Sequence, residues 1–294
     1  MIRLAVRVRQ EQAELVLAEL LELAPAGVEE LQLSERLVEY AVYGAPGELP
    51  SLPDLQAAAG EALVEIATSE TADDWQERWR QFHRPVLIEA PQPVPGVAER
   101  PPALHVRPPW EPATAASAGP VEEIVVDPGR AFGTGAHATT ALCLELLLEL
   151  VASGVALGPL LDVGTGSGVL AIAAARLGFA PVLALDHEVE SVAAAQANAS
   201  VNQVELAVRR FDLRTESLPQ VGSADAEVLL ANLLLPLLLE LSRTMARAPA
   251  HLIASGLLRE QADQVAIAFA ERFELHERRR LERGEWAALW LAAS

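Results

Sequence analysis

The stretch Leu160-Leu161-Asp162-Val163-Gly164-Thr165-Gly166-Ser167-Gly168-Val169-Leu170 reads as a strand, a tight glycine-rich turn and the start of a helix. Glycines at such a turn supply backbone angles that other residues resist, and they let a ligand approach the main chain closely. A dinucleotide fingerprint requires G-x-G-x-x-G, but residue 169 is valine. The pattern here is G-x-G-x-G with an acid two residues before the first glycine. Taken alone, the turn points to an adenosine-type ligand.

Downstream, the apolar run Val182-Leu183-Ala184-Leu185 ends at Asp186, 22 residues after Gly164. An acid at the tip of the second strand can accept hydrogen bonds from both ribose hydroxyls, in NAD enzymes as in others, so Asp186 does not choose the cofactor. From about residue 121, expected strands at Leu160–Val163, Val182–Leu185, Glu205–Arg210, Ala226–Ala231 and His251–Ser255 alternate with helices. Those helices are expected at Thr139–Leu150, Val169–Leu177, Val189–Val201, Leu234–Ala246 and Arg259–Arg272. This is the pattern of a doubly wound α/β domain with a parallel sheet. Phe273–Arg280 and Trp286–Leu291, joined at Arg283-Gly284, read as a terminal antiparallel hairpin.

Ligands of doubly wound sheets bind beyond the carboxyl ends of the strands, and Asn232 lies at such an end. Its carbonyl oxygen could hold an amine and aim the lone pair; a buried turn asparagine is the plainer alternative. Upstream, the loop Asp127–Thr140 is rich in glycine and threonine and precedes a strongly apolar helix, which Thr139 or Thr140 can cap. Spacing alone makes this an ordinary loop and cap, and His137 a hydrogen-bonding residue before a general base.

Residues 1–68 follow the order β-α-β-β-α-β of a ferredoxin-like fold. Ile2, Leu4, Val6 and Val8 alternate as in a strand, and Glu11–Leu23 has helical spacing through Leu15, Ala18 and Leu21. Val28–Leu33 and Leu37–Tyr43 pair, a short helix spans Asp54–Gly60, and a strand spans Leu63–Thr68. Trp75 and Trp79 share one helical face. Nine of the chain's 20 prolines lie between Pro91 and Pro120, a semi-rigid linker with room for short strands near His105 and Val121.

Apolar residues make up 51% of the chain and the mean hydropathy is +0.22, so a packed core is expected. All 22 basic residues are arginine. The absence of lysine excludes P-loop phosphate chemistry and Schiff bases. A net charge of -19 argues against a large nucleic-acid footprint and suits a cationic protein partner, although solubility alone explains it equally well. The most apolar stretch, Leu142–Leu161, is broken by Glu145, Glu149, Gly154 and Pro159, so no membrane span is expected. The N-terminus lacks a signal-peptide core, and a cytoplasmic location is expected. The single cysteine, Cys143, reads as a small buried residue, and the six histidines show no metal-ligand spacing.

The G-x-G-x-G turn resembles the first motif of class I methyltransferases, whose parallel sheet is closed by an antiparallel hairpin that dinucleotide dehydrogenases usually lack. Phe132-Gly133-Thr134-Gly135-x-His137-x-Thr139-Thr140 and Asp74-Trp75-x-x-x-Trp79-Arg80 narrow this to a resemblance to the ribosomal protein L-eleven methyltransferase family (PrmA-like). It covers most of the chain and is strongest over residues 124–202 and 227–256. The resemblance implies an α/β fold: a class I methyltransferase Rossmann-like seven-stranded sheet with a C-terminal antiparallel hairpin, plus a small ferredoxin-like α+β N-terminal domain. Residues 1–68 would recognise substrate, 69–120 would link, and 121–294 would be catalytic. It further implies S-adenosyl-L-methionine as cofactor, held by Thr140, Gly164, Gly166, Asp186 and Asn232, with Asn232 also beside the acceptor amine. The implied reaction is N-methylation of lysine and N-terminal amines of ribosomal protein L-eleven, with neither nucleic acid nor membrane as partner. Another protein or a small molecule is the alternative acceptor. An NAD-dependent oxidoreductase is the alternative class, against which Val169 and the hairpin count. Residue 138 is alanine where the family commonly has proline. The stretch 212–222 matches poorly, which leaves Asp212 as the only suggested adenine contact.

Overall fold

The computed structural model describes residues 2–13, 16–17, 20, 28–34, 36–44, 49–70, 84–92, 100–113, 119–127, 137–219, 221 and 227–293. The chain divides into two compact units, residues 1–82 and 83–294.

In the first unit, β1 (Ile2–Arg9), β2 (Glu29–Ser34), β3 (Leu37–Gly44) and β4 (Leu63–Glu70) form an antiparallel sheet in the order β2-β3-β1-β4. Alternation sorts the side chains. Leu4, Val6, Val8, Val38 and Tyr40 bury on one face with Ala13, Val16 and Leu20, and with Leu55 and Ala59 of α1 (Leu52–Ala59). The Tyr40 hydroxyl donates to the Ala13 carbonyl at 3.0 Å, so the buried polar tip is satisfied. Across the strands, Glu39 pairs with Arg3 and Arg7, and Arg7 pairs with Glu65. Leu15, Ala18, Leu21, Trp75 and Trp79, singled out in the sequence, lie outside the described residues.

The second unit begins inside the segment expected to be a linker. There β5 (Val86–Ile88), β6 (Ala103–Arg107) and β7 (Val121–Val125) form a three-stranded sheet, with β6 antiparallel to β5 and parallel to β7. Strands β6 and β7 stand where short strands were expected, near His105 and Val121, and β5 is added to them; the cause is apolar, since Ile88, Leu104, Val106 and Ile124 are buried in the unit's large core. Pro101, Pro102, Pro108, Pro109 and Pro120 flank these strands and do not interrupt them, so no ladder donor is lost.

The main sheet contains β8 (Leu160–Val163), β9 (Val182–Asp186), β10 (Ala207–Arg210), β11 (Val228–Asn232), β12 (His251–Leu258), β13 (Leu275–Arg283) and β14 (Trp286–Ala293). Its order is β10-β9-β8-β11-β12-β14-β13. The pairs β10·β9, β9·β8, β8·β11 and β11·β12 are parallel, whereas β14 is antiparallel to both neighbours. Strand order reverses at β8, where the chain proceeds first toward β10 and then to the other side. That switch point opens a crevice beyond the strand ends.

Helices α2 (Ala138–Ala152), α3 (Val169–Arg176), α4 (Val189–Val201), α5 (Leu235–Thr244) and α6 (Ala262–Phe273) complete the unit. Helix α2 is buried almost all round, from Thr140 through Leu150. It therefore behaves as a core element and not as an amphipathic surface helix. The sheet separates two cores. Leu160, Ala184, Leu230 and Ile253 face α2 and α3, while Leu161, Leu185, Leu229 and Leu252 face α5 and α6. By the two-residue period, Asp162, Asp186, Asn232 and Ser255 fall on the α2 face of their strands.

Candidate active site

The tips of β8, β9 and β11 lie side by side, with Val163 in register with Leu185 and with Ala231. The turn after β8 is tied to β9: the Gly164 and Thr165 amides donate to the Leu185 carbonyl at 2.8 and 2.9 Å. Gly164 has φ +76°, a left-handed conformation, and a Cβ there would overlap Cδ2 of Leu233. The next glycine, Gly166, donates its amide to Oδ2 of Asp186 at 2.9 Å, and Glu188 donates its amide to Oδ1 at 3.0 Å. Asp186 thus serves a local purpose that its spacing did not reveal: its carboxylate clamps the turn to β9 while facing the crevice.

That crevice is small and open to solvent beyond the strand tips. Gly164, Asp186, Phe211, Asp212, Leu213 and Leu237 contribute to its walls. Asp212, the suggested adenine contact, is therefore at the site. Its Oδ1 accepts the Arg214 amide at 3.0 Å, within a turn after β10. Phe211 and Leu213 supply apolar walls. They follow the tip of the third strand of the doubly wound run, and that position was the signal that could have found them. The residues fit an adenosine-containing cofactor: a carboxylate at the second strand tip, left-handed glycines at the turn after the first, and apolar walls beyond the third tip.

Beside this turn, the tip of β11 meets the start of α2. Asn232 donates through Nδ2 to Oγ1 of the fully buried Thr140 at 3.4 Å. This fixes which way the carboxamide faces, and no described residue engages its Oδ1. Thr140 is not the helix cap. The cap is His137, whose side chain accepts the Thr139 amide and makes a 2.8 Å hydrogen bond with Thr139 Oγ1. The His137 ring also meets Trp286 edge-on at 5.2 Å, which fastens the start of α2 to the terminal hairpin. Phe132, Gly133, Thr134 and Gly135 of the signature loop lie outside the described residues.

Beneath the turn, Asp162 is completely buried. Desolvation pushes its carboxyl up to about 7, aided by the charge of Asp186 and opposed by the Thr165 hydroxyl, which donates to Oδ2 at 2.6 Å. Among the described residues nothing hydrogen-bonds Oδ1, and the Ala171 amide offsets the desolvation only in part. Nearby Cys143 is held at about 12 by burial, so it is a packed thiol and not a nucleophile.

Two buried asparagines that the motifs did not single out tie the site together from α4. Asn198 donates through Nδ2 to the Ser167 carbonyl at 2.8 Å and accepts the Asp127 amide at 3.1 Å. Asn202 accepts the Val125 amide at 2.8 Å and donates to the Val125 carbonyl at 2.6 Å. Their i, i+4 spacing was the available signal.

The family model described as ribosomal protein L11 methyltransferase (PrmA) matches residues 52–293. Proteins named ribosomal protein L11 methyltransferase from Heliobacterium modesticaldum and Symbiobacterium thermophilum are 37% and 36% identical over 226 and 220 residues. Each match covers 74% of this chain, and 63% and 65% of the respective relatives, so the chain spans a little under two thirds of their length. The crystal structure of a ribosomal protein L11 methylase from Lactobacillus delbrueckii subsp. bulgaricus is similar, with a TM-score of 0.54 and 31% identity. That match covers 65% of this chain and 95% of the other.

Proposed function

Because this chain belongs to the ribosomal protein L11 methyltransferase family, we propose that it methylates amines of ribosomal protein L11 using S-adenosyl-L-methionine. One observation carries the reading: at the β8 switch point the Gly166 amide is bonded to Asp186 beside Gly164, and at the adjacent β11 tip Asn232 is bonded to Thr140. Asp186 would hold the ribose, the turn's main chain and Thr140 the amino-acid portion, and Phe211 to Leu213 the adenine. The cofactor supplies an activated methyl group on a sulfonium. Asn232 Oδ1 would accept an N–H of the incoming amine and so aim the nitrogen lone pair.

The acceptors are lysine ε-amines, with the N-terminal amine as a further candidate. A free lysine has a pKa of roughly 10.4, so it must lose a proton before it can react. Desolvation in the crevice favours the neutral amine. No strong general base is needed, and neither Cys143 nor His137 is arranged as one. Catalysis is mostly positioning.

Residues 1–82 would select the acceptor protein; the strand order β2-β3-β1-β4 supports a ferredoxin-like reading of this unit. The catalytic domain would be residues 83–294, larger than the sequence pattern suggested. Among the described residues no helix is long and apolar enough to cross a membrane. A ribosomal acceptor implies a cytoplasmic enzyme.

The test incubates the protein with purified ribosomal protein L11 and S-adenosylmethionine, followed by intact mass spectrometry. Mass added in whole methyl increments is the expected result. Calorimetric binding of S-adenosylhomocysteine without any methylation of L11 would keep the cofactor and reject the acceptor. Absence of both would reject the reading.

A further inference from the structure

We infer that Gly256 is a positioning residue that sets the place of Asn232 from the neighbouring strand. The inference concerns the proposed methyl-transfer site and rests on that reading for its activity readout. Asn232 pairs with Ser255 across β11 and β12, and the following amide, Leu233, donates to the Ser255 carbonyl at 3.0 Å. Directly after this bond the β12·β14 register shifts between Ala254 and Leu257, so Ser255 and Gly256 form a bulge.

Gly256 has φ +82°, and its missing side chain is where the chain after Asn232 passes. A Cβ at 256 would lie 2.5 Å from the Leu233 carbonyl oxygen, 2.8 Å from its carbonyl carbon and 3.0 Å from its nitrogen. All three are main-chain atoms, so no rotamer change relieves the overlap. On its other side, Leu233 occupies through Cδ2 the space that a Cβ on Gly164 would need. Residue 233 therefore sits in a socket between two left-handed glycines, one in the turn after β8 and one in β12, the strands that flank β11. The bulge turns Gly256 toward β11, the amide bond anchors residue 233, and Asn232 is held one bond from that anchor. Bulges beside active sites commonly re-aim a side chain in this way. Here the re-aimed side chain belongs to the adjacent strand.

Restoring ordinary contact to a Cβ at 256 requires the 232–233 backbone to move by roughly 1 Å, a displacement that can cost about 100-fold in rate. The variants are Gly256→Ala, the double variant Gly256→Ala/Leu233→Ala, and the control Gly284→Ala. Gly284 is also left-handed, at φ +60°, but a Cβ there meets nothing within 4 Å, so it isolates backbone strain from collision. Each is assayed for kcat on ribosomal protein L11, for S-adenosylhomocysteine affinity by calorimetry, and for thermal melting.

Gly256→Ala should lose about 100-fold in kcat while its S-adenosylhomocysteine Kd stays within about 3-fold of wild type. Trimming Leu233 should not restore kcat, because the collision is with main chain. Gly284→Ala should keep wild-type kcat. An unchanged kcat in folded Gly256→Ala overturns the inference. So does rescue by Leu233→Ala, or a parallel loss of kcat and affinity, which would mark a purely structural glycine.

Amide hydrogen exchange on the wild-type protein gives an answer even where the variant does not fold. The Leu233 amide should be protected without any ligand, and an unprotected amide refutes the anchor. A wild-type protein that binds no S-adenosylhomocysteine would instead reject the proposed function, and the exchange result would still decide the socket.

Discussion

Asn198→Ala removes a side chain that is only 3% exposed and bridges two segments of the site. It deletes the 2.8 Å bond to the Ser167 carbonyl and the 3.1 Å bond from the Asp127 amide. Losing a partner of a buried polar group costs about 1–3 kcal/mol, so the pair should cost about 2–4 kcal/mol. For a folding unit of this size, each kcal/mol lowers the melting temperature by about 2–4 °C, which predicts a drop of roughly 5–15 °C. The parallel variant Asn202→Ala loses its two bonds to Val125 and the 2.8 Å bond to the Asn198 carbonyl, but touches nothing in the glycine-rich turn. Calorimetric melts should therefore show both variants destabilised. Titration with S-adenosylhomocysteine should separate them: Asn198→Ala weaker by about 10-fold, or about 1.4 kcal/mol, and Asn202→Ala close to wild type. A melting temperature for Asn198→Ala within about 2 °C of wild type would refute the bridging role. Equal losses of affinity in both variants would show that the turn is not what Asn198 holds.

If Asn232 Oδ1 holds the acceptor amine as proposed, Asn232→Ala should lower kcat by about 10²-fold or more and leave S-adenosylhomocysteine affinity nearly intact. Unchanged turnover on purified substrate would sink the positioning role. Asp162→Asn should alter the pH dependence of stability. The folded carboxyl titrates near 7 and the unfolded one near 3.8, so between those values the folded state holds the extra proton. Stability should fall as pH rises from about 4 to about 7, by an amount on the order of a few kcal/mol, and level off above that. The asparagine variant should lose this slope. Urea midpoints that fall equally with pH in both proteins would show that Asp162 is not responsible.

The repeating core of the second unit was legible because its signals are local. Val189–Val201 and Leu160–Val163 stand where periodicity placed them, and the other helices differ mainly at their ends. Three features were not legible, each because a tertiary contact decides it. Strand β5 (Val86–Ile88), unlike β6 and β7, had no signal of its own and forms because Ile88 finds a core to enter and β6 to pair with. The cap of α2 is His137 and not a threonine, since Trp286 is at hand to hold the ring and Thr139 turns inward. Asp186 also clamps the turn, and its bond to the Gly166 amide depends on a residue 20 positions away.

The site shows a sharper division. Which strand ends carry it follows from the alternation of β-strands: once Leu160, Ala184, Leu230 and Ile253 are assigned to one core, Asp162, Asp186, Asn232 and Ser255 must share their face. That step uses only the sequence and the sheet order, and it groups the named residues before any distance is measured. Exclusion is different in kind. The need for glycine at 256 comes from the main chain of residue 233, which arrives from another strand, and no periodicity records an empty space. A reading built on what side chains offer therefore names the polar groups at the strand tips and misses the positions kept vacant beside them. Gly164 and Gly256 have the same physical role toward residue 233, yet only Gly164 lies in a recognisable motif. The difference between them is one of visibility in sequence, and the kcat of Gly256→Ala measures how much of the site's geometry the less visible one controls.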